Sequence, residues 1–205
     1  MTPITDSHTH NPDAFGAIIS VEPEAFDPKP GRIYSVGIHP WNSLDAPDER
    51  LDLLAALAAH PQVVAVGETG LDALRGAPLD QQIALFKRHI AIAQRVGKPV
   101  VAHMVRTAQP LVKAWREMRP SVPLIVHGMR GNANVARTLI DAGCYLSYGE
   151  HLNPEALLAT PPDKILAETD DSPTPITDVI AKLARTLALT PDALARQLPL
   201  TNAIF

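Results

Sequence analysis

Short apolar runs recur along the chain, and most of them break off at a histidine or an acid. Four are Val63–Glu68 in VVAVGETGLD, Val100–His103 in VVAHM, Leu124–His127 in LIVHGM and Lys164–Thr169 in KILAETD. Runs of this length, rich in Val, Ile, Leu and Ala, suit strands buried on both faces of a parallel sheet. Further strands are expected near Ile4–His8, Ala17–Val21, Arg32–His39 and Tyr145–Tyr148, making eight. Helices are expected near Glu49–Ala59, Asp80–Val96, Pro110–Met118, Ala133–Ala142, Ile176–Leu187 and Pro191–Leu198. In the second of these, Ile83, Phe86, Ile90 and Ala93 fall on one stripe, and Gly97 offers a left-handed cap before Lys98-Pro99. Thr190-Pro191 opens the last helix as N-cap and first-turn proline.

Alternating strands and helices predict an α/β fold, a TIM-like (β/α)8 barrel. The N-terminal part departs from that plan. Only Asn11–Gly16, six residues, separates His10 from the second strand, whereas a parallel crossover usually needs about a dozen. We therefore expect the second strand to run antiparallel, with Glu22–Gly31 turning below it and helices missing around the first two strands. The bare flank would be covered by proline-rich segments such as Glu22-Pro23 and Asp27–Pro30, or by a second subunit in a homo-oligomer.

Length and composition narrow the setting. The 205 residues suit one domain over 1–205, able to bury roughly 70% of its unfolded surface. A net charge of -4 argues against a general electrostatic grip on nucleic acid and leaves room only for a local basic rim. The lone Cys144 excludes an intrachain disulfide and suits a reducing cytoplasm. No apolar run approaches the ~18 residues of a membrane span.

The polar ends of the strands carry the chemistry. His8 and His10 lie two apart, so they point to one side of a strand. Glu68 continues the face of Val64 and Val66, and Gly67 and Gly70 beside it allow close backbone approach. A carboxylate there can bridge two cations; no phosphate-loop pattern accompanies the glycines. His103 and His127 end equivalent strands, and Asp170 shares its face with Leu166 and Glu168. Four histidines and two carboxylates delivered to one barrel mouth would form a hydrolytic two-metal centre. Four imidazoles favour Zn²⁺, Mn²⁺ or Fe over Mg²⁺, which prefers oxygen. His39 in GIHPW reads as a ligand, a phosphate contact or a proton donor. Arg106 and Arg130 each follow a ligand histidine by three residues. They read equally as phosphate-binding forks or as solvated arginines opening helices. His60, His89 and His151 lack comparable support.

The segments DSHTH, GIHPW, VAVGETGLD, KPVVAHM, PLIVHGM, GCYLSYG, ILAETD and TNAIF occur in this order over nearly the whole chain. Together they resemble the TatD family of metal-dependent hydrolases, within the amidohydrolase-like superfamily. That resemblance implies a TIM-like barrel, two divalent cations (Mg²⁺ among the possible ions) and deoxyribonuclease activity on DNA or on small phosphodiesters. By motif position, it implies that His8 and His10 hold one ion, that His103 and His127 hold the second, and that Glu68 bridges them. Asp170 would bind the first ion and orient the attacking water. Typical members are longer and carry helices after the first two strands. The family's HSR is His103-Met104-Val105-Arg106 here, and its HCFSG is His127-Gly128-Met129-Arg130-Gly131, so the chain looks like a shortened branch with different substrate walls. Two other readings remain open. One is a dinuclear hydrolase of a small carbonyl ester, lactone or amide. In that class a carboxylated lysine commonly bridges the metals; here Glu68 holds that position and Lys98 lies at the wrong end of its strand. The other is a non-catalytic, metal-stabilised binding module.

Overall fold

Each strand of the sheet hydrogen-bonds to its neighbours in sequence, in the order β1 to β8, and every pairing is parallel. The strands are β1 Asp6–Thr9, β2 Ala17–Val21, β3 Ile33–Val36, β4 Val63–Asp72, β5 Val100–Val105, β6 Leu124–Val126, β7 Tyr145–Tyr148 and β8 Ile165–Ala167. The computed structural model describes residues 5–198 and 204; Ile4 and, apart from Ile204, the TNAIF segment lie outside the described residues. The barrel closes between β8 and β1. Thr9 bridges Asp170, the Asp170 N–H donates to the His8 carbonyl at 3.0 Å, and the His10 N–H donates to the Asp170 carbonyl at 3.2 Å. Inside, the Ser7 and Ser147 hydroxyls meet at 2.7 Å across the intervening β8, so small side chains fill the interior at that level.

The expected antiparallel second strand is not found: β2 runs parallel to both β1 and β3, with Asp6 opposite Ala17 and Ile18 opposite Ile33. The reason is strand length. β1 has four residues, so the chain has to return only about 13 Å. The stretch from residue 10 to 16 is long enough for that return without a helix, and it makes a turn in which the Ala14 N–H donates to the Asn11 carbonyl. The crossover rule describes connections that carry a helix, and this one does not. No α-helix lies between β1 and β3 among the described residues; a single 3-10 turn, Pro23–Ala25, occurs there. The proline-rich segment packs against β3. Phe26 meets the Tyr34 ring edge-on at 5.3 Å, and the Tyr34 hydroxyl donates to the Asp27 carbonyl and accepts from the Lys29 N–H.

Elsewhere helices pack against the strands: α1 Asp48–Leu57, α2 Leu79–Val96, α3 Ala108–Met118, α4 Ala133–Ile140, α5 Pro154–Leu158, α6 Ile176–Thr186 and α7 Pro191–Gln197. In α2, Leu85, Phe86, Ile90 and Ala93 are buried, and Gly97 caps the helix at φ 68°. Five residues are too few to show a helical stripe, so α5 was not expected; Asn153 starts it by accepting the N–H groups of Glu155 and Ala156. No helix among the described residues is long and apolar enough to cross a membrane.

β4 runs to Asp72, four residues beyond the expected end at Glu68. Its register against β5 shifts between Val66 and Thr69. A side chain at Gly67 would strike the Val101 carbonyl, and one at Gly70 the His103 carbonyl. Glycine at both positions lets this strand press against β5 while Glu68 faces the barrel mouth.

Candidate metal centre

Glu68 sits at the middle of the barrel mouth, buried, and each of its two oxygens meets a different set of histidines. Oε2 lies 3.2 Å from His8 Nε2 and 3.2 Å from His10 Nε2. Oε1 lies 2.7 Å from His127 Nε2, 3.0 Å from His103 Nδ1 and 2.9 Å from His39 Nε2. Asp170 Oδ1 stands on the His8–His10 side, 3.9 Å and 3.7 Å from their Nε2 atoms. All six expected ligand residues therefore converge, His8 and His10 on Oε2 and His103 and His127 on Oε1, and the His8 and His127 rings meet at 4.1 Å, so the two sets adjoin.

The strand ends are tied down separately. Asp6 Oδ1 accepts the N–H groups of His8 and Thr169, and its Oδ2 accepts the Thr169 hydroxyl at 2.7 Å. One carboxylate thus braces β1 against the chain leaving β8, setting His8 against Asp170. Burial raises the Asp6 pKa to about 6, against the lowering effect of these hydrogen bonds.

The centre is electrostatically tense without a cation. Burial pushes Glu68 up, but His127, His10 and His103 outweigh it and hold the carboxyl well below its usual range. Burial pushes His127 down, yet Glu68 and Glu168 raise it well above the ordinary imidazole value. His10 is raised chiefly by its bond to Glu68. His8 is lowered by complete burial and by the nearby His127. Several buried polar atoms form no well-aligned hydrogen bond: both nitrogens of His8, His127 Nδ1, and Glu68 Oε2, which has only the 3.2 Å contacts to His8 and His10. Buried polar atoms are rarely left so. A convergent set of imidazole nitrogens and carboxylate oxygens with such atoms fits a borderline divalent cation such as Zn²⁺.

Two further carboxylates stand behind the histidines. Asp72 Oδ2 is 3.2 Å from His103 Nε2 and also accepts the indole N–H of Trp41 at 2.6 Å, while its Oδ1 accepts the Leu74 N–H at 2.8 Å. Burial pushes Asp72 up, but these three donors leave it below its usual value. Glu168 Oε1 accepts the Gly128 N–H at 2.6 Å and lies 3.7 Å from His127 Nδ1. Carboxylates in this position fix the tautomer of a ligating imidazole and raise its basicity. The sequence reading assigned them no role. For Asp72 the signal was present: it is four residues from Glu68 on one strand; Glu168 lies just beyond β8, where strand alternation no longer applies.

The surroundings of His39 narrow its reading. Its Nδ1 accepts the backbone N–H of Trp41 at 3.1 Å, so in the neutral ring the proton sits on Nε2. That N–H faces Glu68 Oε1. Coordination of a cation through Nε2 would need the proton on Nδ1, directed at another donor. The strand end carrying His39 is held by His89, whose Nε2 accepts the Ile38 N–H at 2.9 Å while Nδ1 faces the Leu85 carbonyl. Burial lowers the His89 pKa to about 4 and keeps it neutral. His89 is therefore a scaffold residue, whereas His60 pairs with Phe26 on the outer flank and His151 is exposed in a turn.

Above the histidines opens a cavity of about 1100 Å³ that both Arg106 and Arg130 line. Arg130 is exposed, with Nη2 3.7 Å from Asp170 Oδ2. Arg106 is exposed too, in a left-handed conformation at φ 57°.

An eight-stranded parallel barrel with histidines gathered around one carboxylate at its C-terminal mouth has the architecture of a metal-dependent hydrolase. Residues 24–200 match the model described as TatD related DNase, and the chain belongs to that family. His8 and His10 precede the matched segment. The chain is 33% identical over 145 residues to the uncharacterized metal-dependent hydrolase YabD of Bacillus subtilis, covering 66% of this chain and 57% of that one. It is 35% identical over 158 residues to the 3'-5' ssDNA/RNA exonuclease TatD of Musicola paradisiaca, covering 69% of this chain and 58% of that one. It thus spans little more than half the length of these curated relatives. Among solved structures, the TatD homolog YjjV of Escherichia coli superposes with a TM-score of 0.80 at 23% identity, over 88% of this chain and 82% of that one.

Proposed function

We propose that this chain is a divalent-metal-dependent phosphodiesterase acting on nucleic acid, a deoxyribonuclease of the TatD type. The observation that carries the reading is the division of Glu68, one oxygen toward His8 and His10 and the other toward His103 and His127. Glu68 would hold two divalent cations together with these histidines. Bound divalent cations supply the positive charge that neutralises phosphoryl oxygens and lowers the pKa of water.

The side chains divide the remaining work. Asp170 orients the attacking water and takes its proton. His39, with its proton on Nε2, would donate a hydrogen bond to a phosphoryl oxygen, and the leaving oxygen would take its proton from water. Arg130 and Arg106 hold non-bridging oxygens through their guanidinium forks. Asp72 and Glu168 keep His103 and His127 in the tautomers that present a free nitrogen to the centre. Names of relatives such as 3'-5' ssDNA/RNA exonuclease favour nucleic acid over a lactone or amide.

The test is turnover by metal-replete protein, loaded separately with Zn²⁺, Mn²⁺ and Mg²⁺. Substrates are single-stranded oligonucleotides, small phosphodiesters, phosphomonoesters and lactones. Cleavage of phosphodiesters, with close to two ions bound per chain, is the expected result. Turnover confined to lactones would replace this reading, and so would bound metal with no turnover on any ester.

A further inference from the structure

Among the described residues, the large apolar side chains left exposed are Phe15, Trp41, Leu44, Leu53, Leu74 and Leu158. Only Trp41 of these lines the cavity above the metal centre. It is 45% exposed, and its other contacts hold it in place. Its backbone N–H donates to His39 Nδ1, and its indole N–H donates to Asp72 Oδ2. The ring stands near-perpendicular to His39 at 4.7 Å and to His103 at 5.8 Å. The Arg75 guanidinium lies over the indole, 4.4 Å from its centroid. The polar end of the indole is therefore anchored inward, Arg75 lies over the ring, and the rest of the half-exposed ring lines the cavity.

Core packing does not explain this placement, because burial would cover the ring. A rigid, half-open aromatic surface with a cation beside it suits a planar, electron-rich ligand group linked to an anion. We infer that Trp41, with Arg75, is a nucleobase-stacking subsite that receives a base of a single-stranded substrate next to the phosphate being cleaved. Base–aromatic stacking tolerates any sequence, because every base has a flat face. A tryptophan ring held in advance by its indole hydrogen bond to Asp72 loses little freedom on binding. The same residue touches the groups that set His39 and His103, so the stacked base lies beside the reacting phosphate's contacts. The inference rests on the nucleic-acid reading above.

Two measurements test it. The chain has two tryptophans, and the second, Trp115, is buried on α3, so Trp41 should dominate any response to ligand. Titrating metal-free protein with a short thymidine oligonucleotide should quench indole emission, and an abasic oligomer of equal length should not. Trp41→Phe should lose the quench yet bind the oligonucleotide almost as tightly, measured by competition. Trp41→Ala should bind it about 5- to 100-fold more weakly and should no longer distinguish it from the abasic oligomer. Equal quenching by the abasic oligomer, or wild-type affinity in Trp41→Ala, overturns the subsite. In the second measurement, metal-loaded Trp41→Ala should show a KM for oligonucleotide raised by a similar factor. Oligonucleotide cleavage with KM unchanged would keep the nuclease reading and remove the subsite. Base-dependent quenching without cleavage of any nucleic acid would keep the subsite and remove the nuclease reading.

Discussion

Replacing Asp72 by Asn separates support of the metal centre from support of the fold. The Asp72 carboxylate accepts from three donors: Trp41 Nε1 at 2.6 Å, Leu74 N at 2.8 Å and His103 Nε2 at 3.2 Å. An amide of the same shape has one oxygen. If that oxygen keeps the Leu74 N–H, the new NH₂ group faces both the indole and the imidazole. His103 then does better with its proton on Nδ1, the nitrogen that faces Glu68. If the oxygen turns the other way, the Leu74 N–H is opposed instead. Either arrangement leaves a buried donor unsatisfied, at a cost of about 1–3 kcal/mol. Loss of the carboxylate behind a ligating histidine should weaken metal binding by about 10- to 100-fold, or about 1.4–2.7 kcal/mol. The weakening should fall on the ion held by His103 and His127, with the His8–His10 side nearly unchanged. Competition against a chromophoric chelator gives two binding constants, and thermal melting of the metal-free protein gives the structural cost. A lowered melting temperature with both binding constants within twofold of wild type would refute the reasoning and leave Asp72 as a bracket for Trp41 and the Leu74 turn.

Other outcomes follow from the same geometry. Asp170→Asn should slow turnover by about 10²–10⁴-fold, the range of a lost general base, with two ions still bound; a metal-loaded variant at near wild-type rate would remove Asp170 from the mechanism. Alanine at Arg106 or Arg130, both exposed, should slow phosphodiester cleavage while changing stability by less than about 0.5 kcal/mol; a large fall in melting temperature with full activity would make them structural. His127 and His10 have raised pKa values in the metal-free protein, so each carries a proton below its raised pKa that a cation must displace. Metal affinity should therefore rise with pH through the window above the ordinary imidazole value, with protons released on binding. Calorimetry in buffers of different ionisation enthalpy reads that release, and zero protons would contradict it. The sign reverses for folding of the metal-free chain: pairing of protonated His127 with Glu68 stabilises it below the unfolded histidine pKa, and that contribution is lost as pH rises through the folded value.

The strands were legible because burial on both faces demands uninterrupted apolar runs, and the histidines interrupt those runs only where the strand reaches the open mouth. The direction of β2 was not legible from connection length alone; the length of β1 had to be weighed against it. Strand periodicity already puts Asp72 on the face of Glu68, but a carboxylate's service to a histidine depends on which strands are neighbours. His39 illustrates a deeper limit. What separates its three readings is one backbone N–H, that of Trp41, directed at Nδ1 by the local turn. His89 looked like an unremarkable helix residue because its partner, the Ile38 N–H, is 51 positions away in the chain.

The seam between β1 and β8 has a consequence for how the protein reaches its working state. His8 and Asp170 stand on the same side of Glu68, yet they come from opposite ends of the chain, and the Thr9–Asp170 bridge that closes the barrel brings them together. Contacts so distant in sequence are slow to form, because the chain entropy of the long loop is lost before the contact offers any return. The juxtaposition of His8 with Asp170 therefore does not exist in any partly folded chain that lacks this seam. An ion that binds only the closed barrel stabilises it in proportion to the logarithm of its free concentration. Metal supply would then govern how long the seam stays shut, and the proposed turnover with it.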